Sequence, residues 1–304
     1  MTSARVLVRS VLLRQWPKNV VVMVRAMRPS QWPKNVLVLA APADAGVVHQ
    51  PQEAQETVVA VLAFILASSG IYLVNDIVDV DADRAHPAKR LRPIAAGELA
   101  PRVAWVAAVA LLAGGLLVAT LLAWQLLVVV ALYQIVQLVY CLGLKRVPLI
   151  ELLSVASGFL LRAIAGGAAT GVGLTVWFVG AVGFGSLFVV AGKRYSELRL
   201  AEGATAAIRP VLATYSASYL RFVWTLSAAV LVSTYALWAA VGGQAALTSW
   251  AVASVLPFTV AVLWYAVRVD AGTAGEPEEV FMHDRMMQLL LAVWAVCFLG
   301  SVYL

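Results

Sequence analysis

Residues 75–93, NDIVDVDADRAHPAKRLRP, gather four aspartates, a histidine, a lysine and three arginines directly after the apolar run VLAFILASSGIYLV. If the preceding helix continues into this stretch, each residue turns it by about 100°. Asn75, Tyr72, Asp76, Asp79 and Asp83 then share one face within about 100° of one another, while Asp81 points to the far side. Pro87 disfavours helical geometry in the residue before it, so the helix is expected to stop around Ala85. Three carboxylates and a carboxamide on one face repel one another unless a cation joins them. Oxygen ligands of this kind suit Mg²⁺, which is usually held by one or two carboxylates together with substrate phosphates. His86, Lys89, Arg90 and Arg92 follow on the same loop as anion-binding groups. A metal beside cations is the chemistry of a diphosphate site. A solvated acidic loop balanced by neighbouring cations is the plainer alternative, and the position at the end of a long apolar run argues against it.

The rest of the chain is what must hold this face in place. Of its 304 residues, 62% are hydrophobic and only 12% charged, against about 45–50% and about 25% in a soluble globular chain. So much apolar surface cannot be hidden from water in a fold of this size, and the solvent is therefore a bilayer. The net charge of +6 fits cytoplasmic loops rich in Lys and Arg better than nucleic-acid binding. Cys141 and Cys297 lie in apolar runs and read as small buried hydrophobes, without disulfide or metal spacing.

Apolar runs of spanning length fall at 58–74, 103–122, 126–144, 149–169, 174–191, 222–241, 250–267 and 287–304. A shorter run at 36–48, broken by Pro42 and Asp44, is taken as the first span, which makes nine. Apart from Arg162, every one of the 22 basic residues then falls on one side. The positive-inside rule places that side, with the N-terminus and the aspartate-rich loop, in the cytoplasm. The expected architecture is all-α: a polytopic helical bundle in the plasma membrane with its active site facing the cytoplasm. Residues 1–30 read as a basic amphipathic segment on the membrane surface, and residues 31–304 as one transmembrane domain. QWPKNV occurs twice, at 15–20 and 31–36, which is too short to be a repeat architecture. Arg9 and Arg14 interrupt the early apolar residues, so no signal peptide is expected.

NDIVDVDAD matches the N-D-x-x-D-x-x-x-D motif of the UbiA-type intramembrane prenyltransferase superfamily, and YCLGLKR at 140–146 resembles its second loop motif. The likeness runs from about residue 28 onward. Ordinary members carry a second Asp-rich motif after the sixth span, but here that place reads GKRYSEL, two cations and one acid. The strings QWPKNVLVLAAP, YLVND, HPAKRLRPIAAG, LRAIAGG and FGSLFVVAGKRYSEL resemble the actinobacterial decaprenyl-phosphate phosphoribosyltransferases. That resemblance implies transfer of phosphoribosyl from phosphoribosyl diphosphate (PRPP) to a polyprenyl phosphate lipid, with release of diphosphate, for arabinan supply to the cell wall.

On this expectation Mg²⁺ sits on Asn75 and Asp79, with Asp83 and Asp76 as further direct or water-bridged ligands. Lys89 and Arg92 neutralise the diphosphate or the donor's 5-phosphate, and His86 is the nearby imidazole. Arg162 lies mid-span, where an ionisable group is costly and reads as functional; it is assigned to a substrate phosphate, with a structural pair to Glu151 as the alternative. Lys34 and Lys145 are expected to contact donor phosphates, and Tyr72 to contact the donor. Lys193, Arg194 and Glu197 replace the missing acidic motif and are expected to receive the lipid phosphate or part of the donor. Gly166 and Gly167 let neighbouring helices approach. A homo-oligomer is compatible with the sequence; nucleic acid is not an expected partner. The rival readings are a prenyl-diphosphate-dependent aromatic prenyltransferase and a lipid carrier or transporter without catalysis. The first lacks its second acidic motif. The second would place charge near the midplane and break helices in paired halves.

Overall fold

The computed structural model describes residues 19–201, 210–241 and 249–304, and every regular element among them is helical. Eight helices are long and apolar enough to cross a bilayer. They are α1 (Pro51–Val78), α2 (Pro101–Leu122), α3 (Trp124–Leu142), α4 (Ile150–Thr170), α5 (Val176–Ala201), α6 (Ala217–Val241), α7 (Ser249–Asp270) and α8 (Arg285–Tyr303). The chain is a multi-pass membrane protein. Large apolar side chains such as Leu121 and Leu256 are 79% and 71% exposed, which in this setting means that they face lipid. Arg209 and residues 242–248 lie outside the described residues, as do residues 1–18, which hold most of the first QWPKNV copy.

Local sequence sets the helix ends. Proline at the first helical turn opens α1 and α2, where a missing N–H costs nothing. α1 starts earlier than its apolar run, because the polar stretch 51–57 is already helical. A single extended residue, Ala123, separates α2 from α3. Gly171 ends α4 at φ +69°, a conformation that favours glycine.

The expected first span, 36–48, is not one of the eight long helices. Pro29–Leu39 is a 3-10 segment, followed by the short helix Ala40–Asp44. Pro29, Pro33 and Pro42 remove backbone donors that a continuous α-helix would need. The larger 3-10 rise still carries Pro29–Asp44 over about 30 Å, roughly a hydrocarbon core, at about 2.0 Å per residue and then about 1.5 Å.

Two hydrophobic clusters divide the interior. One joins α1, α2 and α3 around Phe64, Leu73 and Leu126; the other joins α5 to α8 around Tyr195, Leu220 and Met287. α4 belongs to both, with Leu152 and Ala156 in the second cluster and Leu161, Ala165 and Ala169 in the first. Lipid tails are as apolar as leucine, so these helices associate through close packing of small residues rather than through the hydrophobic effect. Ala60, Ala63 and Ala67 of α1 and Ala104 and Ala108 of α2 are fully buried. Residues 19–26 are also helical; Ala26 is buried and Val22 and Met23 pack on the first cluster. The N-terminal segment is thus part of the body from at least this point.

Gly166 shows how tight the seam is. A Cβ there would lie 1.9 Å from the Val38 carbonyl oxygen, and backbone cannot move aside as a side chain can. Alanine would gain about 1 kcal/mol of helix propensity, but overpacking of this kind costs about 1–3 kcal/mol and here meets backbone. Gly166→Ala is therefore expected to lower the melting temperature in detergent by several degrees. Gly114→Ala, whose Cβ would meet only Leu66 at 3.7 Å, is expected to leave it unchanged or raise it. Equal melting curves for both variants would refute the tight seam.

Candidate active site

The aspartate-rich stretch folds much as its spacing predicts. α1 runs to Val78, Asp79 forms a one-residue break, and a short helix Val80–Ala85 continues to His86, which is extended. Asp76 and Asp83 are 2% and 3% exposed, whereas the Asp81 side chain is 91% exposed. Asp81 therefore points away, engaged only by Arg84 at 3.2 Å.

The shared face is not an array of bare carboxylates. Arg28 donates to Asp76, and Lys145, from the short 3-10 turn Leu144–Arg146 between α3 and α4, donates to Asp79. Arg92 bridges two acids, with Nη1 at 3.2 Å from Asp76 and 2.6 Å from Asp83. Buried ionised carboxylates need such partners, since desolvation costs several kcal/mol per ion unless it is offset. The Arg28 guanidinium also lies over the Tyr72 ring, at 5.1 Å from its centre. His86 holds the loop in shape: its Nδ1 accepts from the Ala88 and Lys89 backbone N–H groups at 3.2 and 3.3 Å. Asn75 is half-buried on the same face.

No three His, Cys, Asp or Glu side chains form a ready-made metal nest among the described residues. The donor set still fits Mg²⁺, which takes one or two carboxylates and completes its shell with water and phosphate oxygens. Asn75, Asp76, Asp79 and Asp83 present oxygen donors only, on one face. A metal seated there would release one or more of Arg28, Arg92 and Lys145, and released cations beside a metal are positioned for anionic oxygens.

Deeper in the bundle, Arg162 of α4 is 5% exposed. Its Nε donates to Asn35 Oδ1 at 2.8 Å, Nη1 to the Gly158 carbonyl at 2.7 Å and Nη2 to the Tyr133 hydroxyl at 3.0 Å. The guanidinium sits 4.9 Å from the Tyr133 ring centre and 5.7 Å from that of Phe159. All these partners are neutral. The suggested pair with Glu151 does not form, because Glu151 belongs to Arg194, whose Nε donates to it at 2.8 Å. Arg194 also contacts Glu197 at 2.9 Å and is 3% exposed. In this form the Arg194 charge is taken up inside the protein, while Lys193 reaches outward to Glu276 at 3.1 Å.

Lys34 pairs with a different acid. Its Nζ is 2.6 Å from Glu278 Oε1, on the short helix Pro277–His283 between α7 and α8, and 6.0 Å from the Phe159 ring centre. Burial alone would push the Glu278 carboxyl up, but the Lys34 hydrogen bond and charge outweigh burial and hold it below the usual carboxylate range. Glu278 is thus ionised at neutral pH.

The structure brings Asn75, Asp76, Asp79, Asp83, Arg92, Lys145 and Tyr72 together, and links Lys34 and Lys193 to the segment before α8. Arg28, Asn35, Tyr133, Glu276 and Glu278 are additional members that spacing did not suggest. Glu276 and Glu278 had a visible signal, since GEPEEVF places acids in a loop on the otherwise basic face. Arg28 precedes the second QWPKNV and Asn35 lies within it, without any periodicity that marks them.

Comparison with known proteins agrees with this geometry. Residues 36–299 match the UbiA prenyltransferase family. A decaprenyl-phosphate phosphoribosyltransferase of Mycobacterium tuberculosis is 50% identical over 292 residues, covering 95% of this chain and 91% of that protein. The protein of the same name from Mycolicibacterium smegmatis is 47% identical, covering 98% and 92%. Among solved structures, a UbiA homolog from Archaeoglobus fulgidus bound to GPP and Mg²⁺ has TM-score 0.70 at 19% identity, covering 93% of this chain and 98% of that one. An all-helical bundle with an aspartate-lined polar end, matched along most of its length by sequence and by fold, identifies the chain as a member of the UbiA prenyltransferase family.

Proposed function

We propose that the protein transfers 5-phosphoribosyl from PRPP to decaprenyl phosphate, or a similar polyprenyl phosphate, and releases diphosphate. The observation that carries the substrate class is Arg162: a buried guanidinium whose partners are all neutral among the described residues. An uncompensated buried cation is costly, and an anionic ligand relieves that cost. The names and high identity of the mycobacterial relatives support the particular pair of substrates.

Bound Mg²⁺, held through Asn75 and Asp79 with Asp83 and Asp76 behind them, would supply charge neutralisation to the leaving diphosphate. Arg28, Arg92 and Lys145, released from their carboxylates, bind donor phosphate oxygens. Lys89 and the loop shaped by His86 border the same group, and Tyr72 packs beneath it. The acceptor is a phosphate monoester with a second pKa of about 6, so its oxygen is already anionic at neutral pH. That oxygen attacks ribose C1 as the C1–diphosphate bond breaks, and no proton has to move. Arg162, Lys34 and Lys193 orient the two anions, so that positioning and electrostatics account for the rate. Arg194 and Glu197 frame Lys193 from within α5. The lipid arrives from the bilayer, the site faces the cytoplasm of a plasma-membrane protein, and the product serves arabinan cell-wall precursor synthesis. Residues 31–304 form the catalytic domain, with the basic segment 1–30 leading into it through Arg28.

Purified protein incubated with labelled PRPP, decaprenyl phosphate and Mg²⁺ is expected to yield labelled lipid, and chelation of the metal to abolish it. Asp79→Ala is expected to lower kcat/KM by at least about 100-fold, the scale of losing a metal or charge stabiliser of the transition state. Turnover of a prenyl diphosphate onto an aromatic acceptor without any labelled lipid would instead establish the prenyltransferase reading.

Arg162→Lys keeps the charge but loses the planar fork that meets Asn35, Gly158 and Tyr133 together. Its kcat/KM is expected to fall about 10- to 100-fold with normal expression and melting temperature. Wild-type kinetics in that variant would remove Arg162 from the substrate site.

A further inference from the structure

Three buried polar atoms near Lys34 have no hydrogen-bond partner among the described residues: Asn35 Nδ2, Glu278 Oε2 and the Tyr265 hydroxyl. Asn35 and Tyr265 are 1% and 2% exposed. A buried donor or acceptor left unsatisfied is expensive, and native structures contain few of them.

The three are held in place by partners on their other sides. Asn35 Oδ1 is occupied by Arg162 at 2.8 Å, so the amide presents Nδ2 elsewhere. Glu278 Oε1 is occupied by Lys34 at 2.6 Å, which leaves Oε2. The Tyr265 ring is stacked on Phe281 at 5.5 Å and meets Phe188 edge-on at 5.3 Å, so its hydroxyl has little freedom. Lys34 and Asn35 are adjacent in the chain, Glu278 and Phe281 sit one turn apart on the same short helix, and the Tyr265 hydroxyl is within charge range of Glu278. Tyr72, beneath Arg28 on the aspartate face, is within charge range of Glu278 and Arg162 as well. Through the Asn35–Arg162 bond and the Lys34–Glu278 pair, these atoms are tied to the segment that follows Arg28, the partner of Asp76.

Their chemistry excludes some ligand groups. Ionised Glu278 only accepts hydrogen bonds, the asparagine nitrogen only donates, and the tyrosine hydroxyl does both. Phosphate oxygens cannot satisfy Glu278 Oε2, because acceptor would meet acceptor and charge would meet like charge. A prenyl chain offers no hydrogen bond at all. Vicinal hydroxyls, each a donor and an acceptor, match the set.

We propose that Glu278 Oε2, the Tyr265 hydroxyl and Asn35 Nδ2 form the subsite for the ribose hydroxyls of the donor, so that Glu278 selects a sugar diphosphate over a prenyl diphosphate. The assignment rests on the phosphoribosyl-transfer reading and adds to it the residues that recognise the sugar.

The test compares wild type, Glu278→Gln and Tyr265→Phe, each with PRPP and with its 2-deoxy and 3-deoxy analogues, measuring kcat/KM in the labelled-lipid assay. Glu278→Gln is expected to reduce kcat/KM for PRPP about 10- to 100-fold, the range for losing a hydrogen bond to a charged group. With at least one deoxy analogue its loss is expected to be no more than about 3-fold, because the hydroxyl concerned is already missing. Tyr265→Phe keeps the ring stack and removes one oxygen; it is expected to show the same donor-dependent pattern at about 10-fold, which guards against misfolding of the Glu278 variant. Equal fractional losses on all three donors would show that Glu278 acts only by holding Lys34, and would overturn the proposal. Wild-type kinetics in both variants would overturn it too. Wild-type protein that leaves PRPP untouched would overturn the transfer reading itself, and this assignment with it.

Discussion

Neutralisation of buried aspartates at the end of α1 organises the polar end of the bundle. Asp76 and Asp83 are almost wholly removed from solvent, in a region where apolar side chains and lipid supply little dielectric screening. Desolvation there penalises a carboxylate, and the cations that offset it for these two and for Asp79 come from separate stretches of chain. Arg28 arrives from the N-terminal segment, Arg92 from the loop beyond the short helix, and Lys145 from the turn between α3 and α4. Each pair therefore ties a separate connection to the same helix end. On the proposed function, a metal and a phosphorylated ligand would exchange these charge contacts for their own, and a single set of residues would serve both folding and ligand binding.

Across the site the sense of the charges differs. Glu276 and Glu278, on the segment before α8, pair with Lys193 and Lys34. The family's ordinary second acidic motif would stand on α5, where this chain has Lys193 and Arg194, and the acids come instead from the α7–α8 connection. Lys34 lies on a 3-10 segment that packs against α4, and α4 contributes to both hydrophobic clusters. The Lys34–Glu278 pair thus joins that segment to the connection between α7 and α8. The close seam at Gly166 and Val38 sets how near that 3-10 segment can come.

Some of this was legible residue by residue. The proline rule stopped the helix at Ala85, as observed, and helical periodicity turned Asp81 outward. Hydropathy located the eight long helices, missing mainly the polar turns by which α1 extends toward Pro51. The segment at 36–48 is not among the eight long helices, because hydropathy measures polarity, whereas its prolines give the backbone a 3-10 form. Arg162 stands out as an intramembrane charge, and the alternative pair with Glu151 does not form, because Glu151 lies turns earlier on the same helix and faces Arg194 of α5 instead.

The sequence by itself determined the solvent, the class of fold, the helix that bears the acidic face and the oxygen atoms which that face presents. These follow from composition and from contacts among residues close in the chain, where the period of a helix is a sufficient ruler. Only the tertiary structure decided which cation meets which carboxylate, that Arg162 is left with neutral partners, and that Glu278 meets Lys34. Those pairings join residues far apart in the chain, and no local periodicity encodes them. They are set by how closely small residues let the helices pack, and by the demand that buried charges find hydrogen-bond or charged partners.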